Sequence, residues 1–368
     1  MSQATIRVLV VDDSPLMRRA ISDAIGANSD MTVIAIARDG HEAIAKFREL
    51  KPDVVTLDIQ MPGKNGQQVL EEILEIAPTP VIMVSNLTQR GADATLQALD
   101  TGAIDYLGKP ERAGDLEAIL HDELIKKIRA AAGMDVRRVI QIRRNRQRAK
   151  AMGPQDRRTP LVRQHFSAGE PRDACIALGI STGGPPALAF LFESLAPPMP
   201  PIVVVQHMPQ QFTDPFARRL DGLSSLTVKQ AATDDVLLPN HVYIARGGQH
   251  LALVEHGHGA KIQIFDGENV SSHKPSVDVM MKSAARIFRE RCLGVIMTGM
   301  GRDGADGCCA IRAAGGYVLG QDQASSDVYG MNKVALTEGG VDEQFCLEDS
   351  PAIITASLAK LGRAAAAV

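Results

Sequence analysis

At 368 residues the chain is too long for one ordinary core, so its length favours two domains, or three. A hydrophobic fraction of 45% and a charged fraction of 23% are ordinary for a soluble globular protein, and a formal net charge of -3 gives no case for nucleic-acid binding by the chain as a whole. The five cysteines are odd in number, lie from residue 175 onward and form no C-x-x-C pair, so neither a disulfide framework nor a zinc knuckle is expected. No apolar run approaches membrane-spanning length. Asp12 and Asp13 interrupt the first apolar stretch and no basic n-region precedes it, so a cytoplasmic protein without a signal peptide is the expectation.

In chain order, short apolar runs at 6–11, 32–36, 54–57, 81–84 and 104–107 read as buried parallel strands. Amphipathic stretches near 15–25, 41–50, 66–77, 88–100 and 112–131 read as the helices between them. Five such units predict a flavodoxin-like domain over 1–132, a five-stranded parallel sheet with its sites at the strands' C-terminal ends. The segment 133–172 is crowded with arginine and reads as a basic linker without aromatic interleaving. A second, doubly wound α/β domain of hydrolase type is expected over 173–368. Its strands are placed near 175–180, 201–206, 242–245, 251–254, 262–265, 293–298 and 317–320, its helices near 187–195, 213–221, 277–290 and 305–314. The pair 251–254 and 262–265 looks like a hairpin inserted in an otherwise mainly parallel sheet.

Asp12 and Asp13 follow the first strand and Asp58 the third, and these strands are neighbours in such a sheet. Three carboxylates meeting at one crevice repel each other, and a hard divalent cation such as Mg²⁺ relieves that. Ser85 ends the fourth strand and Lys109 the fifth, bringing a hydroxyl and an ammonium to the same edge. The set suits a carboxylate nucleophile that accepts a phosphoryl group. With Leu57-Asp58-Ile59-Gln60-Met61-Pro62, Gly66, Gly102-Ala103 and Tyr106-Leu107-Gly108-Lys109-Pro110, the first 125 or so residues resemble the response-regulator receiver family. That resemblance implies Asp58 as phosphoacceptor and Mg²⁺ held by Asp12, Asp13, Asp58 and the Gln60 carbonyl. It implies Ser85, Tyr106 and Lys109 as sensors of the phosphoryl group.

In the second domain an apolar run feeds Gly179-Ile180-Ser181-Thr182-Gly183-Gly184, and a helix-forming stretch follows. A strand, a tight turn and a helix expose the Ser181 hydroxyl beside backbone N–H groups, the layout of an activated nucleophile with an oxyanion site. His207 follows another strand in Gln206-His207-Met208-Pro209 and is the candidate base. Asp303 follows a third, in a glycine-rich loop, and can fix the histidine tautomer. The order Ser, His, Asp differs from the Ser, Asp, His order of ordinary α/β-hydrolases despite the local G-x-S-x-G match.

These pieces, with His273-Lys274-Pro275-Ser276-Val277-Asp278 and Thr298-Gly299-Met300-Gly301, resemble the chemotaxis protein-glutamate methylesterase (CheB) family over 174 to about 345. The resemblance implies Ser181 as nucleophile, His207 as base then acid, Asp303 as orienting carboxylate and the Met300 N–H as oxyanion donor. It implies a serine hydrolase needing no cofactor for that reaction, demethylating glutamyl esters and deamidating glutamines on chemoreceptors, and activated through a chemotaxis histidine kinase. No nucleic acid and no membrane insertion are expected. The alternatives are a receiver-regulated esterase acting on another protein ester, and a DNA-binding regulator, for which no helix-turn-helix is found after 133. His256 and His258 read as hairpin-turn residues, Cys308 and Cys309 as buried helix cysteines, and Met280-Met281 as core.

Overall fold

The computed structural model describes residues 5–86, 88–109, 120–134, 136–137, 139–141, 173–257 and 259–365. The expected linker, 133–172, therefore lies largely outside the described residues, as does His258. Two compact units divide the chain, Met1–Gln147 and Arg148–Val368.

In the first unit β1 (Ile6–Val11), β2 (Met31–Ala37), β3 (Val54–Asp58), β4 (Val81–Asn86) and β5 (Asp105–Lys109) form one parallel sheet in the order β2-β1-β3-β4-β5. β3 is buried along its whole length and β1 from Val8 onward, as both-face coverage by helices requires. The helices α1 (Pro15–Gly26), α2 (Gly40–Leu50), α3 (Gly66–Ile76) and α4 (Gln89–Thr101) carry the four crossovers, and α5 (Ile125–Ala132) follows the last strand. Their starts are written in the sequence: Ser14 caps α1 with Pro15 following, Asp39 caps α2, and Asn65 and Gln68 form a capping box on α3. The chain reverses direction across the sheet between β1 and β3, where Asp12 and Asp58 emerge side by side.

The second unit is built on a seven-stranded sheet, parallel throughout, in the order β14-β13-β12-β6-β7-β9-β8. Its strands are β6 (Cys175–Ile180), β7 (Ile202–Gln206), β8 (Thr227–Gln230), β9 (His241–Ile244), β12 (Cys292–Ile296), β13 (Tyr317–Gln321) and β14 (Glu343–Phe345). Helices α6 (Gly184–Ser194), α7 (Gln210–Asp221), α8 (Val277–Phe288), α9 (Ala305–Ala313), α10 (Met331–Thr337) and α11 (Ser350–Ala365) accompany it. The hairpin of β10 (His250–His256) and β11 (Gly259–Phe265) is antiparallel but stands as a sheet of its own rather than inside the large one. Leu251, Leu253, Ala260 and Ile262 alternate onto one face and share a core with Met280, Met281 and Ala284 of α8. The Ser283 hydroxyl also accepts the Leu253 N–H, so the hairpin covers α8 instead of extending a sheet.

The short strands β8 and β14 escape the sequence pattern because three or four residues, several of them polar, give no readable period. Met280, Met281 and Cys308 are fully buried as expected, whereas Cys309 is half-buried, its Sγ 3.6 Å from the Glu338 carbonyl oxygen.

Candidate active site

β12, β6 and β7 are consecutive neighbours, and the chain reverses direction between β6 and β12. Asp303, Ser181 and His207 therefore rise from three adjacent strand ends at a topological switch point, where open α/β sheets bind ligands. The Ser181 N–H donates to the Thr298 carbonyl (3.0 Å), and its own carbonyl accepts from Gly184 N–H (2.7 Å), closing the turn into α6. Gly183, at φ 79, takes the left-handed backbone that begins the helix. Gly299 provides the close approach: a Cβ there would lie 2.7 Å from the Ser181 Cβ and 2.4 Å from the Met331 Sδ. Among the described residues no hydrogen bond engages the Met300 N–H.

His207 Nε2 lies 2.8 Å from Asp303 Oδ2. Its Nδ1 is buried and has no hydrogen-bond partner among the described residues. With Nε2 held by the carboxylate, a neutral ring carries its proton there and leaves Nδ1 as a base.

Asp303 is fully buried and nonetheless saturated. Its Oδ1 accepts from Ser276 Oγ (2.7 Å) and Asp278 N–H (3.1 Å), its Oδ2 from Val277 N–H (2.7 Å) besides His207. Two of those donors are first-turn amides of α8, so the helix's positive end faces the carboxylate. Burial pushes this carboxyl upward, but the hydrogen bonds from His207, Ser276 and Val277 outweigh it and hold it below the usual carboxylate range.

Asp278 returns the favour. Its Oδ1 accepts the N–H groups of Gly304 (3.0 Å) and Gly307 (2.8 Å) at the start of α9, and Ser271 Oγ donates to its Oδ2 at 3.2 Å. The two helix starts are thus clasped by each other's carboxylates. Burial, with the nearby Asp303 charge adding to it, raises the Asp278 carboxyl above its ordinary value. Asp278 is turned inward as a brace.

Gln206 was unassigned by sequence reasoning. Its Nε2 donates to the carbonyls of both Ser181 (3.1 Å) and His207 (3.0 Å), tying the Ser181 turn to the His207 turn. The available signal was a buried amide side chain at the C-terminal end of an otherwise aliphatic strand. His273 was likewise unassigned: its ring is stacked on His207 with centroids 3.8 Å apart and planes 6° from parallel.

His207, His273 and Asp303 offer ligand atoms within 4.8 Å of one another, yet they do not fit a metal ion. An ion in the plane of one imidazole lies out of the plane of a parallel neighbour, and His207 Nε2 is already committed to Asp303. His256 is exposed at the end of β10.

In the first unit Lys109 Nζ lies 2.8 Å from both Asp12 Oδ2 and Asp58 Oδ2. Asp12 and Asp58 are buried, and Asp13 is exposed beside them. Oxygens of Asp12, Asp13 and Asp58 lie within 4.8 Å of one another. Asp12 Oδ2 meets Lys109 as an ion pair without a well-directed hydrogen bond, which leaves a buried acceptor. One ammonium against three carboxylates, all hard oxygen donors, fits a divalent cation. Burial raises the Asp58 carboxyl, with Lys109 opposing; Lys109 itself is pushed down by burial but raised further by its two carboxylates. Gln60 follows, its N–H donating to Asp58 Oδ1 at 3.2 Å. Ser85 is buried with its Oγ 3.3 Å from the Gly91 carbonyl, and Tyr106 is buried with Lys127 Nζ 5.4 Å from its ring centroid.

Each unit of the chain matches a known family. Residues 176–354 match the family described as CheB methylesterase, and residues 8–121 match the response regulator receiver domain. A protein-glutamate methylesterase/protein-glutamine glutaminase of Geobacter metallireducens is 40% identical over 95% of this chain and 95% of its own. One from Caulobacter vibrioides is 43% identical over 94% of this chain and 95% of its own. A third, from Nitrosomonas europaea, is 40% identical over 99% of both.

Proposed function

The chain belongs to the protein-glutamate methylesterase/protein-glutamine glutaminase (CheB) family, and from that premise we propose that it is a phosphorylation-activated serine hydrolase of chemoreceptors. It removes methyl groups from receptor glutamyl esters, deamidates particular receptor glutamines, and so supplies adaptation in chemotaxis. It works in the cytoplasm. Among the described residues no helix is long and apolar enough to cross a membrane.

The observation that carries this reading is the His207–Asp303 pair beside the Ser181 turn, with Nδ1 of the histidine left as a buried base. Nδ1 takes the Ser181 proton as Oγ bonds to the ester carbonyl carbon, and the carbonyl oxygen gathers charge. The Met300 N–H is the donor for that oxyanion. Collapse of the intermediate breaks the bond to methoxide, which leaves as methanol with the proton from His207. Water, deprotonated by the same Nδ1, then cleaves the acyl-enzyme to glutamate and free Ser181. A glutamine amide follows the same path and releases ammonia.

In the receiver, Asp58 is the phosphoacceptor for a chemotaxis histidine kinase. Asp12, Asp13, Asp58 and the Gln60 carbonyl are the residues that would hold Mg²⁺, whose charge offsets that of an incoming phosphoryl group. Lys109 supplies a second positive charge at Asp58, and Ser85 and Tyr106 read out the new group.

Methanol release from methylated receptor membranes, with and without a small phosphodonor plus Mg²⁺, tests the whole reading. Release that rises with the phosphodonor and vanishes in Ser181→Ala is expected. Undiminished release from Ser181→Ala would overturn the nucleophile, and no release in either state would overturn the receptor substrate.

A further inference from the structure

A general base must be held in orientation as well as in place. Among the described residues, His207 has one side-chain hydrogen bond, from Nε2 to Asp303. A single bond of that kind is a hinge: the ring can still swing about the Nε2···Oδ2 line, because rotation at the terminal torsion of histidine is broad. Such a swing would carry Nδ1 away from the hydroxyl it must deprotonate.

His273 lies where it blocks that motion. Its ring covers one face of His207 at 3.8 Å and 6°, full parallel contact rather than an edge approach. His273 Nδ1 is 2.8 Å from the Ser271 carbonyl oxygen. A carbonyl only accepts, so Nδ1 carries the proton and the ring is anchored as one defined tautomer.

The segment that presents His273 is over-determined. Val270 and His273 exchange both backbone hydrogen bonds, at 3.1 and 2.9 Å. The two residues between them, Ser271 and Ser272, have φ of 51° and 66°. That is a tight mirror-image turn built without glycine, in a left-handed backbone region that L side chains rarely adopt. Ser271 Oγ is tied to Asp278, the Lys274 ammonium to Asp266 Oδ1 and the Gly267 carbonyl, and the Lys274 carbonyl accepts Gly248 N–H. Strain is sustained at the point where the turn delivers an imidazole onto the base.

We propose that His273 is a positioning residue for the hydrolysis: an anchored imidazole plate that fixes the ring plane of His207, so that Nδ1 stays aligned with Ser181 while Nε2 stays on Asp303. The inference rests on the reading of His207 as the base. It requires a flat ring at position 273; the Nδ1 bond to the Ser271 carbonyl serves to hold that ring against His207.

The test compares His273→Ala and His273→Phe in the full-length protein, measuring kcat and KM for methanol release and the rate at which a fluorophosphonate labels Ser181. Misorientation of a catalytic group on this scale costs about 10- to 100-fold, so kcat of the alanine variant should fall by that factor with KM changed less than about threefold. Labelling should slow in step, since the probe needs the same activated hydroxyl. The phenylalanine variant, whose ring can replace the plate, should recover to within about threefold of the parent. Circular dichroism and melting of both variants establish that each is folded. An alanine variant within about twofold of the parent overturns the proposal, as does a folded phenylalanine variant as slow as alanine. A parent that neither labels at Ser181 nor releases methanol signals a different failure: the base assignment falls, and the plate falls with it.

Discussion

Replacing Asp303 by asparagine separates the charge of the buried carboxylate from its shape. Each oxygen of Asp303 takes two donors: Ser276 Oγ and the Asp278 N–H on Oδ1, the Val277 N–H and His207 Nε2 on Oδ2. An asparagine must set its NH₂ against one of these pairs. Placed at Oδ1, it turns the Ser276 hydroxyl round and leaves the Asp278 N–H without an acceptor. Placed at Oδ2, it orphans the Val277 N–H and forces His207 Nε2 to become an acceptor. The ring proton then moves to Nδ1, and the base is lost. Either way one buried amide is unsatisfied, which costs about 1–3 kcal/mol of stability. In a domain of this size that is a melting shift of roughly 2–12 °C.

Catalysis suffers more. The developing imidazolium loses its counter-charge in both orientations, and the wrong tautomer in one of them; kcat should fall about 10³- to 10⁴-fold, or about 4–5.4 kcal/mol in the barrier. Methanol release from methylated receptor membranes, alongside thermal melting, measures both quantities. The stability gap has a defined pH dependence. Asp303 titrates below its unfolded value, so its contribution is complete above about pH 4 and is lost as pH falls through the lower folded value. A folded Asp303→Asn variant with kcat within about tenfold of the parent would refute the argument.

Asp278→Asn should behave oppositely. An amide at 278 can keep Oδ1 on the Gly304 and Gly307 N–H groups and donate its NH₂ to Ser271 Oγ, so no hydrogen bond is lost while a buried like charge disappears. The parent carboxyl is raised, so the gain should be on the order of 1 kcal/mol above its folded pKa and vanish as pH falls below about 3.9; urea melts at pH 7 and pH 3.5 read it, and destabilisation at pH 7 would refute it. Gln206→Glu replaces the donor that joins the Ser181 and His207 carbonyls with an acceptor facing both. It should cost about 2–4 kcal/mol and at least tenfold in kcat; unchanged kcat and melting would show that the bridge is idle. Gly299→Ala places a methyl group against the Ser181 Cβ, and overpacking of about 1–3 kcal/mol there should lower kcat about 100-fold; activity within twofold of the parent would refute the close approach. Asp58→Asn should leave basal methanol release in place and abolish its rise with phosphodonor and Mg²⁺; a persisting rise would remove Asp58 as the acceptor.

The sequence alone determined the strands at whose ends the candidate site residues stand. Buried parallel strands are short continuous apolar runs, legible at 6–11, 54–57 and 175–180 because both their faces are dry. Residues placed just beyond such runs, Asp58, Ser181, His207 and Asp303, can be named because a parallel sheet collects its strand ends at one edge. What it left open follows from pairings distant along the chain. The hairpin's alternation fits either a place in the large sheet or a separate cover on α8, and only packing against Met280, Met281 and Ala284 decides between them. β8 and β14 gain their identity from the neighbour they pair with, being too short to show a period. The brace formed by Asp278 and Asp303, the amide of Gln206 reaching two turns, and the stack of His273 on His207 join residues 25, 25 and 66 positions apart. Each is a matter of side-chain direction within a packed site, and local sequence carries no record of that direction until the strands have assembled.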